Sequence, residues 1–156
     1  MEEQRPMRRK DRETSEAEAR QLLAGCEYGV LSTLGPDGAP YGVPLSYVYR
    51  EGEIYFHSAP EGRKVDYLRA GAAASFCVVG ATELLPEKFS TRYESAIASG
   101  EVRELEGEEK RTALGWLVEK YAPEFRRQGQ EYIVEAEGKT RVFALRVRHV
   151  SGKRRR

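Results

Sequence analysis

The stretch "EIYFHS" ends on His57 and Ser58, and after a short loop Gly62 is followed by two adjacent cations, Arg63 and Lys64. Where a loop enters a helix, free backbone N–H groups point outward and favour an anion. Arg grips a phosphate with two parallel N–H bonds, while Lys adds a compact charge. Ser58 could add a hydroxyl donor. This pattern makes a phosphate seat outside any P-loop; the alternative is an ordinary helix start with solvated cations.

His57 is either a proton donor with a pKa close to neutrality or a structural residue at a strand end. Upstream, "GVPLSYVY" offers backbone groups around Pro44, with Ser46 and Tyr47 beside it. Such a strand could lie along a flat heterocycle, or be an edge strand with aromatic packing. Hydrolytic chemistry lacks support: there is no G-x-S-x-G, and Cys77 sits in an apolar strand where a thiol is inert. Cys26 and Cys77 have no metal-ligand spacing to each other or to His57 and His149, so no metal site is expected. Both read as buried thiols of an intracellular chain.

The elements that carry these residues follow from pattern. "TSEAEARQLLAGC" reads as a helix, with Ser15 and Glu18 as a capping box and Gly25 as its stop. "EYGVLSTL", "APYGVPLSYVYR" and "EIYFHS" read as a three-stranded meander joined by the turns "GPDG" and "EGE", with Pro44 interrupting the second strand at an edge. "GRKVDYLRAG" is expected as about two and a half helical turns burying Val65 and Leu68. "AASFCVVG" should be a central strand covered on both faces. "RYESAIASGEVREL" and "TRVFALRVRHVS" read as further strands. The helix "EEKRTALGWLVEKYAPEF" carries Leu114, Leu117, Val118 and Tyr121 at helical spacing and ends at Pro123; "QEYIVEAE" adds a short one. Hairpin-linked strands without regular βαβ alternation imply an α+β fold, a small antiparallel β-barrel with flanking helices.

The 156 residues suit one domain: a basic arm over 1–12, the domain over 13–150 and a basic tail over 151–156. Lys and Arg total 26 against 25 Asp and Glu, so the whole chain offers no field for nucleic acid; the tails read as solvated. No apolar run is long enough to span a bilayer and no signal peptide is evident, which places the protein in the cytoplasm.

"EYGVLSTLGPDGAPYGVPLSYVYREGEIYFHSAPEGRKVDYLRAGAAASFCVVG", followed by "LPEKFSTRYESAIASGEV", resembles the pyridoxamine 5'-phosphate oxidase-like flavin-binding split barrels. It looks most like their nitroimidazole-resistance-related branch. The resemblance runs from about Met7 to Gly152. It implies a split β-barrel homodimer with FMN between the two subunits, acting as an oxidoreductase on a small, nitroaromatic-type substrate with NAD(P)H as a candidate donor. It also implies that Val43, Pro44, Leu45, Ser46 and Tyr47 run beside the flavin. His57, the catalytic candidate, and Ser58 would lie near it, Arg63 and Lys64 would hold its phosphate, and Tyr93, Glu94 and Ser95 would reach it from one subunit or the other. The chain lacks the C-terminal Arg-containing motif of vitamin B6 oxidases. Relatives that bind haem or a deazaflavin keep a non-enzymatic storage or sensing role open.

Overall fold

The computed structural model describes residues 5–69 and 71–156, so residues 1–4 of the expected arm and Ala70 lie outside it. The capping box forms as the sequence requires. Ser15 Oγ accepts the Glu18 N–H at 3.2 Å, and the Glu18 carboxylate accepts the Ser15 N–H at 2.9 Å. Helix α1 (Glu16–Gly25) then buries Ala19 and Leu23 against the barrel.

Eight antiparallel strands follow: β1 (Tyr28–Leu34), β2 (Pro40–Ser46), β3 (Val48–Arg50), β4 (Glu53–Ser58), β5 (Ala72–Val79), β6 (Glu83–Leu85), β7 (Ser90–Leu105) and β8 (Arg141–Arg155). Seven of them make the path β2-β1-β5-β7-β8-β4-β3, with β6 paired to β7 off the path. The expected meander is therefore two separate hairpins, β1–β2 and β3–β4, at opposite ends of the sheet. The break in the long strand falls at Tyr47 and not at Pro44, which stays in β2 opposite Val30. Pro44 is tolerated because β2 is a terminal strand with one hydrogen-bonded neighbour. Since β2 and β3 are contiguous in sequence, the sheet must wrap until its two ends meet at Tyr47. Covalent chain closes this barrel where a ladder would otherwise run.

Strand β5 is central, but only one face is buried. Its outward residues, Ala73, Ser75, Cys77 and Val79, are partly or fully open, which corrects the expectation of cover on both sides. The barrel interior holds Leu31, Phe56, Phe76, Phe143 and Leu145. A second apolar cluster lies outside the barrel, where Tyr55, Val142 and Ala144 meet Leu114, Leu117 and Ile133. Those last three residues come from α3 (Gly107–Tyr121) and α4 (Arg126–Ala136).

Helix α2 (Arg63–Tyr67) is only five residues long, half the expected length. It ends early because Leu68 leaves helical geometry and drops into the barrel core. The expected basic tail is not a tail: residues 151–155 are the last part of β8, and Lys153, Arg154 and Arg155 pair with Ser95, Glu94 and Tyr93 of β7. Arg154 also reaches carboxylates of Glu94 and Glu18, both at 3.1 Å. Just past the expected arm, Glu13 forms a β-bridge with Lys153. Among the described residues no helix is long and apolar enough to cross a membrane.

Candidate functional site

Strand alternation sends successive side chains to opposite faces, and β4 shows what that does to the His-Ser pair. Ile54, Phe56 and Ser58 face the barrel interior and are buried. Tyr55 and His57 face the other way, toward α3 and α4. His57 and Ser58 thus do not present their side chains to a common space. The His57 ring stays open to solvent at the mouth of a cavity, yet the surrounding protein withholds enough water to lower its pKa below the ordinary value. The nearby Lys64 ammonium lowers it further. Both effects favour the neutral imidazole.

Lys64 is itself half-buried at the start of α2, and burial lowers its pKa with no carboxylate to oppose the effect. Arg63 is exposed and lies over the Tyr41 ring at 5.4 Å. Tyr41 in turn packs edge-on against Tyr67. Neither cation joins an ion pair among the described residues, although many other arginines in the chain do. Gly62 precedes them at φ +136°, a conformation that glycine adopts readily, so the loop presents the two cations side by side. With α2 so short, the helix dipole would add little to the hold on an anion, and the cations and loop N–H groups would have to supply the rest.

The cavity at His57 has a volume of about 360 Å³. Its sheet wall is Ser46 and His57, its floor Leu114 and Leu117, and its outer wall Tyr121 and Tyr132. None of its lining residues is Asp, Glu, Lys or Arg. The wall at Ser46 is held by the last turn of α3. Lys120 Nζ donates to the carbonyls of Cys26 at 2.7 Å and Tyr47 at 2.8 Å, and sits 3.9 Å from the centre of the Tyr47 ring. Tyr121 accepts the Tyr47 N–H at 3.0 Å on its hydroxyl. The Tyr47 hydroxyl donates to the carbonyl of Leu23, and the buried phenol is pushed above its usual pKa by desolvation.

Tyr47 is therefore committed to the core and offers no ring to a ligand. Val43 and Leu45 also pack inward against the barrel core, whereas Pro44 and Ser46 face out. Pro44 belongs to a row that crosses five strands: Pro44, Val30, Cys77, Ile97 and Ser151. A neighbouring row holds Gly42, Ser32, Ser75, Ser99 and His149. This outward face leaves Tyr28, Val30, Leu34, Val79 and Ile97 exposed, an apolar patch of the kind that marks an interaction surface. Cys77 lies on it with its thiol pushed up by burial.

Tyr93, Glu94 and Ser95 lie at the start of β7. Ser95 pairs with Val79, and continuing the register through Tyr28 brings Ser46 into line with it across three strand spacings, about 14 Å. Glu94 is occupied by Arg154. Tyr93 sits beside Lys153 and Arg12, whose hydrogen bonds hold its phenol below the usual tyrosine range against a larger opposing effect of burial. The structure thus gathers Ser46, His57 and Lys64 into one neighbourhood, with Arg63 next to it, and keeps Tyr93, Glu94 and Ser95 apart. Sequence reasoning missed the helical wall: Leu114, Leu117 and Tyr121 were readable as a buried stripe, but not as the side of a cavity. Lys120, a cation in the last turn beside Tyr121, gave no signal of its carbonyl contacts.

The fold has well-defined relatives. A candidate 5-nitroimidazole antibiotic resistance protein from Bacteroides thetaiotaomicron superposes with a TM-score of 0.69 at 24% identity, covering 89% of this chain and 83% of that one. The flavocytochrome Anf3 from Azotobacter vinelandii gives 0.81 at 19% identity, with 97% of this chain and 72% of that one covered. An FAD- and haem-binding protein from Mycobacterium smegmatis gives 0.79 at 21% identity over 90% of this chain and 71% of that one. No curated protein matches the sequence. Residues 15–154, from the Ser15 cap to the Arg154 pair, fit the pyridoxamine 5'-phosphate oxidase family, and the chain belongs to it.

Proposed function

We propose that this chain binds FMN between two copies of itself and is an oxidoreductase for a small organic substrate. The observation that carries the reading is the pair of cations after Gly62: Lys64, half-buried with no carboxylate among the described residues, calls for an anion from outside. A flavin phosphate meets that need, with Arg63 closing on a second oxygen. Pro44 and Ser46 face the space in which the ring would lie; Val43, Leu45 and Tyr47 support that strand from the core, and the free edge of β2 offers backbone donors. Ser58, buried on the barrel side, would contribute by fixing the start of the loop. Tyr93, Glu94 and Ser95 are assigned to the partner's flavin, and the apolar outward face of β1, β5 and β7 to the contact between copies. FMN would supply hydride chemistry. His57, being neutral, can donate or accept a hydrogen bond at a substrate heteroatom and exchange a proton through its ring nitrogen.

Haem is a second reading. A neutral imidazole beside an apolar cavity could hold a haem iron, and one relative described above is an FAD- and haem-binding protein. A deazaflavin would use the same phosphate seat. The visible spectrum of the purified protein decides among them, followed by titration with FMN. FMN should bind, and Arg63→Ala with Lys64→Ala should weaken it by at least about 10-fold, since each charge-assisted contact contributes roughly 1.5–3 kcal/mol. FMN binding that ignores both substitutions would overturn the phosphate assignment. Reduction of the bound flavin by NADH or NADPH then identifies the donor.

A further inference from the structure

We propose that the cavity between β4, α3 and α4 is a binding site for a compact, uncharged, largely apolar molecule, and that it rejects carboxylated or phosphorylated analogues of the same skeleton. Only its service to redox chemistry rests on the flavin reading; the selection itself rests on the walls.

Size comes first. At about 360 Å³ the cavity lies near the small end of the range for ligand pockets, about 300–1,000 Å³. Its apolar floor is rigid, because Leu114, Leu117 and Ile133 belong to the second core cluster and are buried. Its polar groups are few and neutral: the His57 imidazole and the hydroxyls of Ser46, Tyr132 and Thr140, the Tyr121 hydroxyl being engaged by the backbone at Tyr47. A guest with one or two heteroatoms could be oriented by these groups, and the rest of it would meet hydrocarbon.

Charge decides the class. An ion drawn into this space would give up hydration with no ionised wall to replace it, a loss of several kcal/mol as an order of magnitude. Among the described residues Lys64 is the one cation close enough to act on His57, and it stands outside the lining. The Lys120 ammonium, though next to Tyr121, points away and is spent on the carbonyls of Cys26 and Tyr47. The cavity is therefore separated by charge from the Arg63–Lys64 seat beside it: one takes an anion, the other refuses it.

The test uses the full-length protein as purified and a matched pair of probes, 2-naphthol and 2-naphthoate, titrated by calorimetry at pH 7.5. The expected result is that 2-naphthol binds at least 10-fold more tightly than 2-naphthoate. Leu117→Trp, which fills the floor, should lower naphthol affinity at least 10-fold; Ala136→Leu, which fills the cavity from the more open α4 wall, serves if the first variant fails to fold. Equal or tighter binding of 2-naphthoate overturns the proposal, as does absence of naphthol binding at millimolar concentration or indifference to both variants. FMN uptake is measured on the same sample. Naphthol binding without FMN uptake supports the cavity and sinks the flavin reading, and FMN uptake without naphthol binding does the reverse.

Discussion

His57 owes its state to two neighbours of different kinds, protein that withholds water and the Lys64 ammonium. Its titration, followed by proton NMR with His149→Gln to remove the other imidazole, should fall below the ordinary value of about 6.5. Lys64→Met should move it back upward. The sign for stability follows. Well above pH ~6.5 the imidazole is neutral in both folded and unfolded chains and contributes nothing. As the pH falls below that point the unfolded chain takes the proton first, so the folded state loses stability until the lower folded pKa is reached. A melting temperature that rises on acidification in the wild type, and not in His57→Gln, would contradict this. The residue type and the strand were readable in "EIYFHS", and so was the two-residue alternation. What the sequence could not give was the occupant of each face, because α3 and α4 reach His57 from more than fifty positions downstream.

The long strands carry their own constraint at Gly100, where the β7–β8 register shifts and Val147 replaces the expected partner. A methyl group there would land on the Arg146 carbonyl. Gly100→Ala should therefore cost roughly 1–3 kcal/mol or more, read from urea unfolding. Gly115 is the counterpart inside α3, with open space around its missing Cβ. Gly115→Ala should stabilise by about 0.5–1 kcal/mol in the same assay. Local elements were well foreseen wherever the signal was local, as with the Ser15–Glu18 box and the alternation in β1. The ends were not. Helix α2 stops when Leu68 finds the barrel core, and β8 runs on through Lys153, Arg154 and Arg155 because Glu94 and Glu18 receive the middle charge. In both cases a tertiary partner overrode what the run of residues suggested.

Strand order was the least readable property of the molecule, since adjacent strands in sequence, β2 and β3, end up at opposite ends of the hydrogen-bonded path. The outward face of β1, β5 and β7 is where the homodimer proposal can be tested. Val30→Glu with Ile97→Glu should shift the protein to monomer in light scattering, and FMN affinity should fall with it if the cofactor is shared. A dimer that survives both charges would move the interface elsewhere. The corner at Tyr47 has a dynamic consequence. Its amide and carbonyl, together with the carbonyl of Cys26, are all held by Lys120 and Tyr121 on the last turn of α3. That turn is at once the clasp of the barrel and a wall of the His57 cavity, so neither can breathe alone. In deuterium exchange the amides of Tyr47 and of the closing turn of α3 should lose protection together, and a guest lodged near His57 should slow both.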